Sequence, residues 1–244
     1  MRPFVHCLDP ETLPWEPIFK TGVNRRFYNT DPANQSFTSI ALVPKGWVGP
    51  SGAHYHTSFE EAYILEGSLT LDGTEYLKPE SYLYRPGMIV HGWTELSEES
   101  ALIIIKRGGA ADIISVGEAL HDYEYPFEEI YDGRQHILHL KTAEMGWTPK
   151  GDGLSSCNVK VLSVDKDSSD STYLMSLPSG WQGEIQSADG RDLECIIVQG
   201  AAELADGTHM DRLHYLYRPP GDRTAPIVSA PKGCLVLVWE ATPH

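Results

Sequence analysis

The chain has 244 residues, 41% of them apolar and 22% charged, with a formal charge of -15. That balance belongs to a globular protein with enough buried surface for one large domain or two smaller ones, and it excludes a disordered chain. So acidic a surface disfavours nucleic acid and anionic membranes as partners, because both are held by clustered Lys and Arg.

In chain order, the opening "MRPFVHCLDPETLPW" lacks the continuous apolar core of a signal peptide, and the longest apolar run, "ALIII", is too short to cross a bilayer. The expected location is therefore the cytoplasm. Cys7, Cys157, Cys195 and Cys234 form no C-x-x-C pair and are expected as free, small core residues.

The next informative stretch is "GAHYHTSFEEAYILEG", Gly52 to Gly67. In an extended strand alternate side chains share a face, so His54 and His56 point the same way with α-carbons about 6.8 Å apart, a spacing at which two imidazoles can grip one ion. An H-x-H pair alone is a weak sign of metal, and more ligands are needed. The run "EAYILEGSLTLDGTEYL" follows, and its Asp72-Gly73 pair predicts a tight hairpin between two strands. "YRPGMIVHGW" then places His91 just after a turn-forming Pro-Gly pair, with Trp93 sharing its strand parity and so a candidate for the same pocket. Lys106 and Arg107, closing "ALIIIKRGG", read as solvated strand-end charges. One short helix is expected around "ISVGEALHDY".

The remainder repeats the beginning. "YLYRPG" at Tyr82 returns as "YLYRPPG" at Tyr215, 133 positions on, and "ILEG", "LIII", Gly46-Trp47 and Trp15-Glu16-Pro17 recur at nearly the same offset. Two homologous halves, 1–130 and 131–244, follow from this, the first ending in the connecting region. Short Val-, Ile-, Tyr- and Thr-rich runs broken by turn pairs make both all-β, as a sandwich or barrel.

His54, His56, Glu60 and Gly67 stand at the spacing of the first motif of the cupin superfamily, H-x-H, three residues, Glu, six residues, Gly, and Pro86 and His91 keep the separation of the second. The sequence resembles a tandem of two cupin jelly-roll barrels. The departures are Val48 in place of the first motif's leading glycine, Gly87 one residue early, and Glu95 where asparagine is expected. The resemblance implies that His54, His56, Glu60 and His91 converge on one divalent ion, with one or two positions left for water, substrate or oxygen. Fe(II) is the expected metal, with Mn, Ni, Zn or Cu as alternatives. In the second half the same positions are Ser187, Asp189, Leu193 and Thr224 or Ala225, so no second metal set is expected. Because Tyr82, Tyr84 and Arg85 recur beside that degenerate site, they read as structural, with Arg satisfying turn carbonyls.

The implied activity is a metal-dependent oxygenase acting on a small organic molecule such as a diketone, hydroxyketone or phenolic compound. Two alternatives remain at this point: an isomerase, lyase or decarboxylase that uses no oxygen, and a metal- or ligand-sensing module. Exposed edge strands would also allow a homodimer.

Overall fold

The computed structural model describes residues 2–49, 52–118, 132–151, 156–188, 190–224 and 226–242. The architecture is two all-β barrels in one chain, each a seven-stranded antiparallel sheet facing a four-stranded one. Among the described residues the only helical turns are the three 3-10 segments Pro10–Thr12, Val116–Glu118 and Thr142–Glu144. The helix expected around "ISVGEALHDY" is not an α-helix where it can be followed: Ile114–Ser115 pairs as a strand with His54–Tyr55, and Val116–Glu118 is the second of these turns. Its last residues, like Asp189 and Ala225, lie outside the described residues.

The chain divides into two compact units, Pro14–Ala143 and Met1–Leu13 with Glu144–His244. This differs from a boundary between 130 and 131 at both ends. The N-terminal strand Val5–Leu8 pairs with Tyr215–Arg218 in the later unit, and Ile137–Lys141, which opens the second half in sequence, pairs with Ser81–Arg85 in the earlier one. The two repeats have thus exchanged their first strands. Each exchanged segment brings one arginine to a buried glutamate. Arg2 Nη1 donates to both carboxylate oxygens of Glu194 at 3.0 and 3.1 Å, and the Tyr215 hydroxyl donates to it at 2.9 Å. Arg134 and Tyr82 hold Glu61 in the same way, the tyrosine at 3.0 Å.

Inside the earlier barrel the pleat points every second residue inward, so that Glu60, Ala62 and Ile64, or Ser39, Ala41 and Val43, share one interior. Apolar side chains from Val23, Ala41, Val43, Ile64, Leu83 and Ile103 fill part of that interior. The later barrel is packed with buried apolar residues, among them Met175, Trp181, Leu193, Ile197 and Val238. All four cysteines are free, three buried and Cys7 half-buried. The Asp72-Gly73 hairpin is present but wider than a two-residue turn: Leu69–Thr70 pairs with Tyr76–Leu77, and Asp72 Oδ1 accepts from the Thr74 and Glu75 amides at 2.8 and 3.1 Å.

Candidate metal centre

His54 and His91 face each other across a backbone bridge in which each amide donates to the other's carbonyl at 2.8 Å. The Met88 amide donates to the His56 carbonyl at 2.7 Å, tying the loop that carries His91 to the strand end that carries the H-x-H pair. The rings stand 4.4 to 5.2 Å apart between centroids, all three residues are buried, and their ligand atoms lie within 4.8 Å of one another. Among the described residues no other group of three or more His, Cys, Asp or Glu is so placed.

Each imidazole is fixed by its second nitrogen. Nδ1 of His54 meets the Gly52 carbonyl at 2.7 Å, Nδ1 of His91 meets that of Ile89 at 3.0 Å, and Nδ1 of His56 meets that of Asp112. A carbonyl only accepts, so each Nδ1 carries the proton and each Nε2 keeps a lone pair for a metal. Burial, with Arg85 and the neighbouring rings, drives the His91 pKa well below its ordinary value, and burial also lowers that of His54, so both are neutral at pH 7. Three buried imidazoles with oriented lone pairs fit a divalent metal ion.

Glu60 stands beside this group. Its Oε2 is 3.8 Å from His56 Nε2 and 4.0 Å from His91 Nε2, and the same oxygen accepts from Arg85 Nη1 at 2.6 Å. The arrangement comes from the sheet register, in which Arg107 pairs with Glu60 and Glu60 with Arg85, an Arg-Glu-Arg row across three adjacent strands. Burial opposes ionisation of Glu60, but His56, Arg107, Arg85 and His54 outweigh it and hold the pKa at about 2. Arg107 also donates to Asp112 Oδ1 at 2.8 Å, while Asp112 Oδ2 accepts from the Thr57 amide and hydroxyl at 3.0 and 2.6 Å. Asp112 therefore braces the segment whose carbonyl orients His56. Glu95 lines the same cavity, where burial and the charge of Glu60 raise its pKa to about 7. The cavity holds about 160 Å³, small beside the roughly 300–1,000 Å³ usual for drug-sized ligands.

A family model described as the ChrR cupin-like domain matches residues 5–111. Among solved structures, a "putative dioxygenase" from Nostoc punctiforme superposes with a TM-score of 0.79 at 17% identity, over 96% of this chain and 81% of that one. Residues 5–111 thus resemble a cupin-like domain, and the chain as a whole shares its fold with that structure. Bacterial pirin from Escherichia coli in complex with nickel(II) gives 0.61 at 16% identity over the whole of both chains. A mutant of oxalate decarboxylase from Bacillus subtilis gives 0.58 at 11%, over 97% of this chain and 77% of that one. No curated protein matches this chain in sequence.

Within the earlier barrel, His54, His56, Glu60 and His91, the residues that the resemblance brings together, line one cavity, and Trp93 does not. Trp93 is 44% exposed, because Gly92 at φ +82° breaks the strand between His91 and Trp93, so parity does not carry across it. Glu95 reaches the cavity in its place. Lys106 and Arg107 are buried rather than solvated, Arg107 in the row described above. The reading of Arg85 from its repeat partner also needs correction. Arg218 does satisfy carbonyls, those of Val5, His6 and Thr224 at 2.6 to 3.2 Å, whereas Arg85 binds Glu60 inside the cavity. The difference traces to one position: Leu193 pairs with Arg218 where Glu60 pairs with Arg85, so no carboxylate is offered to Arg218 there. Ser187, in turn, spends its hydroxyl on the carbonyls of Pro219 and Asp222 at 3.1 and 2.9 Å.

Proposed function

We propose that this protein is an Fe(II)-dependent oxygenase of the cupin type acting on a small organic molecule of the diketone, hydroxyketone or phenolic type, with His54, His56 and His91 holding the metal and Glu60 as the fourth ligand. The observation that carries the reading is the set of three buried histidines whose Nδ1 atoms are all committed to backbone carbonyls, at the wall of a small, largely apolar cavity. A divalent ion there supplies Lewis acidity and, as Fe(II), the electrons that dioxygen chemistry requires. The chain's own residues do the rest: Asp112 and the carbonyls of Gly52 and Ile89 hold the rings, Arg85 and Arg107 fix Glu60, and the apolar strands line the remainder of the cavity. Likeness to the "putative dioxygenase" from Nostoc punctiforme supports the choice of oxygen chemistry.

One observation favours a second reading. Glu95, with a pKa raised to about 7, is a carboxyl able to donate or accept a proton at neutral pH beside the three histidines, as a redox-neutral isomerase, lyase or decarboxylase would use. The test is oxygen uptake by protein reconstituted with Fe(II), against a panel of small diketones, hydroxyketones and phenols. Uptake that needs both iron and the organic compound supports the oxygenase. Anaerobic conversion by Mn-, Ni- or Zn-loaded protein, with no uptake under any condition, would replace it with the redox-neutral reading.

A further inference from the structure

Three polar groups inside the metal-binding barrel have no partner of their own. Arg25 Nε, Ser39 Oγ and Arg107 Nε are buried without a hydrogen bond, and all three residues line the cavity that the histidines also line. They come from adjacent strands, Asn24–Thr30, Phe37–Val43 and Ala101–Arg107, and Ser39 and Arg107 are only 1% and 4% exposed. Burying a hydrogen-bonding group without a partner is costly, so three together in one cavity indicate a missing acceptor.

The state of Arg25 indicates what that acceptor is. Its guanidinium lies 4.2 Å from the Phe27 ring centroid and 5.2 Å from that of Phe37, and the charge of Glu16, its neighbour across the strand pair, acts on it without an ion pair or hydrogen bond between them. Stacking occupies the faces of a guanidinium and leaves its N–H donors, which lie in the plane, directed outward. Arg107 is half-used, its Nη atoms engaged by Glu60 and Asp112 while Nε is idle. Two guanidinium N–H groups and a hydroxyl suit an oxyanion, and a planar carboxylate above all.

The second barrel leaves no idle donor at the same positions. By strand register Arg25, Ser39 and Arg107 correspond to Val159, Tyr173 and Glu240, and there the Tyr173 hydroxyl donates to Glu240 at 2.7 Å. The idle donors are thus particular to the barrel that carries the histidines.

We infer that Arg25, Ser39 and Arg107 form a carboxylate subsite, and that the substrate carries a carboxylate in addition to the oxygen atoms that reach the metal. The second half of this statement rests on the metal-dependent reading above; the subsite itself does not. A keto acid or hydroxy acid then fits better than a neutral diketone.

The test compares pentane-2,4-dione with 2,4-dioxopentanoate, which share the diketone and differ by the carboxylate. Binding is measured by calorimetry to Ni(II)-loaded protein, where no turnover intervenes, and to metal-free protein. The expected result is that the acid binds at least tenfold more tightly than the dione to native protein. Arg25→Gln should remove most of that preference and Ser39→Ala part of it, both leaving affinity for the dione and Ni(II) content unchanged. Ser39→Ala keeps the test open if the arginine variant fails to fold. Equal affinity for acid and dione, equal weakening of both by the variants, or no binding of the acid to either form overturns the subsite. Native protein that takes up no Ni(II) but still binds the acid in an Arg25-dependent way would remove the metal reading and leave the subsite standing.

Discussion

His56 is held from both ends, its Nδ1 at the Asp112 carbonyl and its Nε2 facing Glu60, so it offers a direct test of the centre. His56→Ala should weaken binding of a divalent ion by at least about 100-fold, since loss even of a group that only orients a ligand costs 10–100-fold, while circular dichroism stays unchanged. Full metal occupancy in that variant, by elemental mass spectrometry, would show that the histidines are not the ligands. Glu95 gives a prediction of opposite character. Its folded pKa, about 7, lies above the ordinary carboxylate value, so the folded state holds the proton more tightly than the unfolded state. The associated stability is complete below about pH 4.3 and is lost as pH rises through about 7. Glu95→Gln cannot ionise, so its Tm in chelator should exceed that of native protein at pH 8 and match it at pH 4. A Tm difference that does not vary with pH would mean that the carboxyl is well solvated.

At the scale of the strand, both barrels carry the same irregularity. The ladder between Glu60–Glu66 and Ala101–Arg107 shifts register between Leu102 and Ile103, and its counterpart shifts between Ile197 and Gln199. Gly67 and Gly200 stand beside these shifts at φ +70° and +77°. A Cβ on Gly67 would come within 1.8 Å of the Ser100 carbonyl oxygen, and one on Gly200 within 2.3 Å of that of Gly233, so backbone would have to move. Gly67→Ala should therefore cost more than the roughly 1–3 kcal/mol of a left-handed residue alone, read as a fall in urea midpoint with unchanged slope. A loss within about 0.5 kcal/mol would show that the bulge relaxes freely.

The same scale explains what the sequence made legible. The H-x-H spacing, the offset to Glu60 and the position of His91 were readable because each depends on distance along one strand or turn. The roles of Arg85 and Arg107 were not, because they depend on which strands lie side by side and in what register. Trp93 misled because a single glycine resets the alternation on which its assignment relied.

At the scale of the whole molecule, the repeat was plain in the sequence and the exchange of first strands was not. The first strands of two homologous halves are similar enough to complete either barrel, so similarity alone cannot tell which barrel a terminal strand joins. The buried Arg-Glu pairs make the exchange measurable. Removing one partner of a buried ion pair typically costs about 3–5 kcal/mol, so Arg134→Ala should destabilise the metal-binding barrel, and Arg2→Ala the other, by amounts in that range. Denaturation curves superimposable on the native one for both variants would refute this role.

The exchanged strands also bear on how such a chain can evolve. Cutting the gene at the midpoint of the repeat would leave each product with the other barrel's first strand and without its own, and deleting the second half would remove Ile137–Lys141 and Arg134 from the barrel that holds the histidines. A barrel whose interior has filled with apolar side chains can lose every ligand and still not be discarded, because its sequence carries a piece of its neighbour.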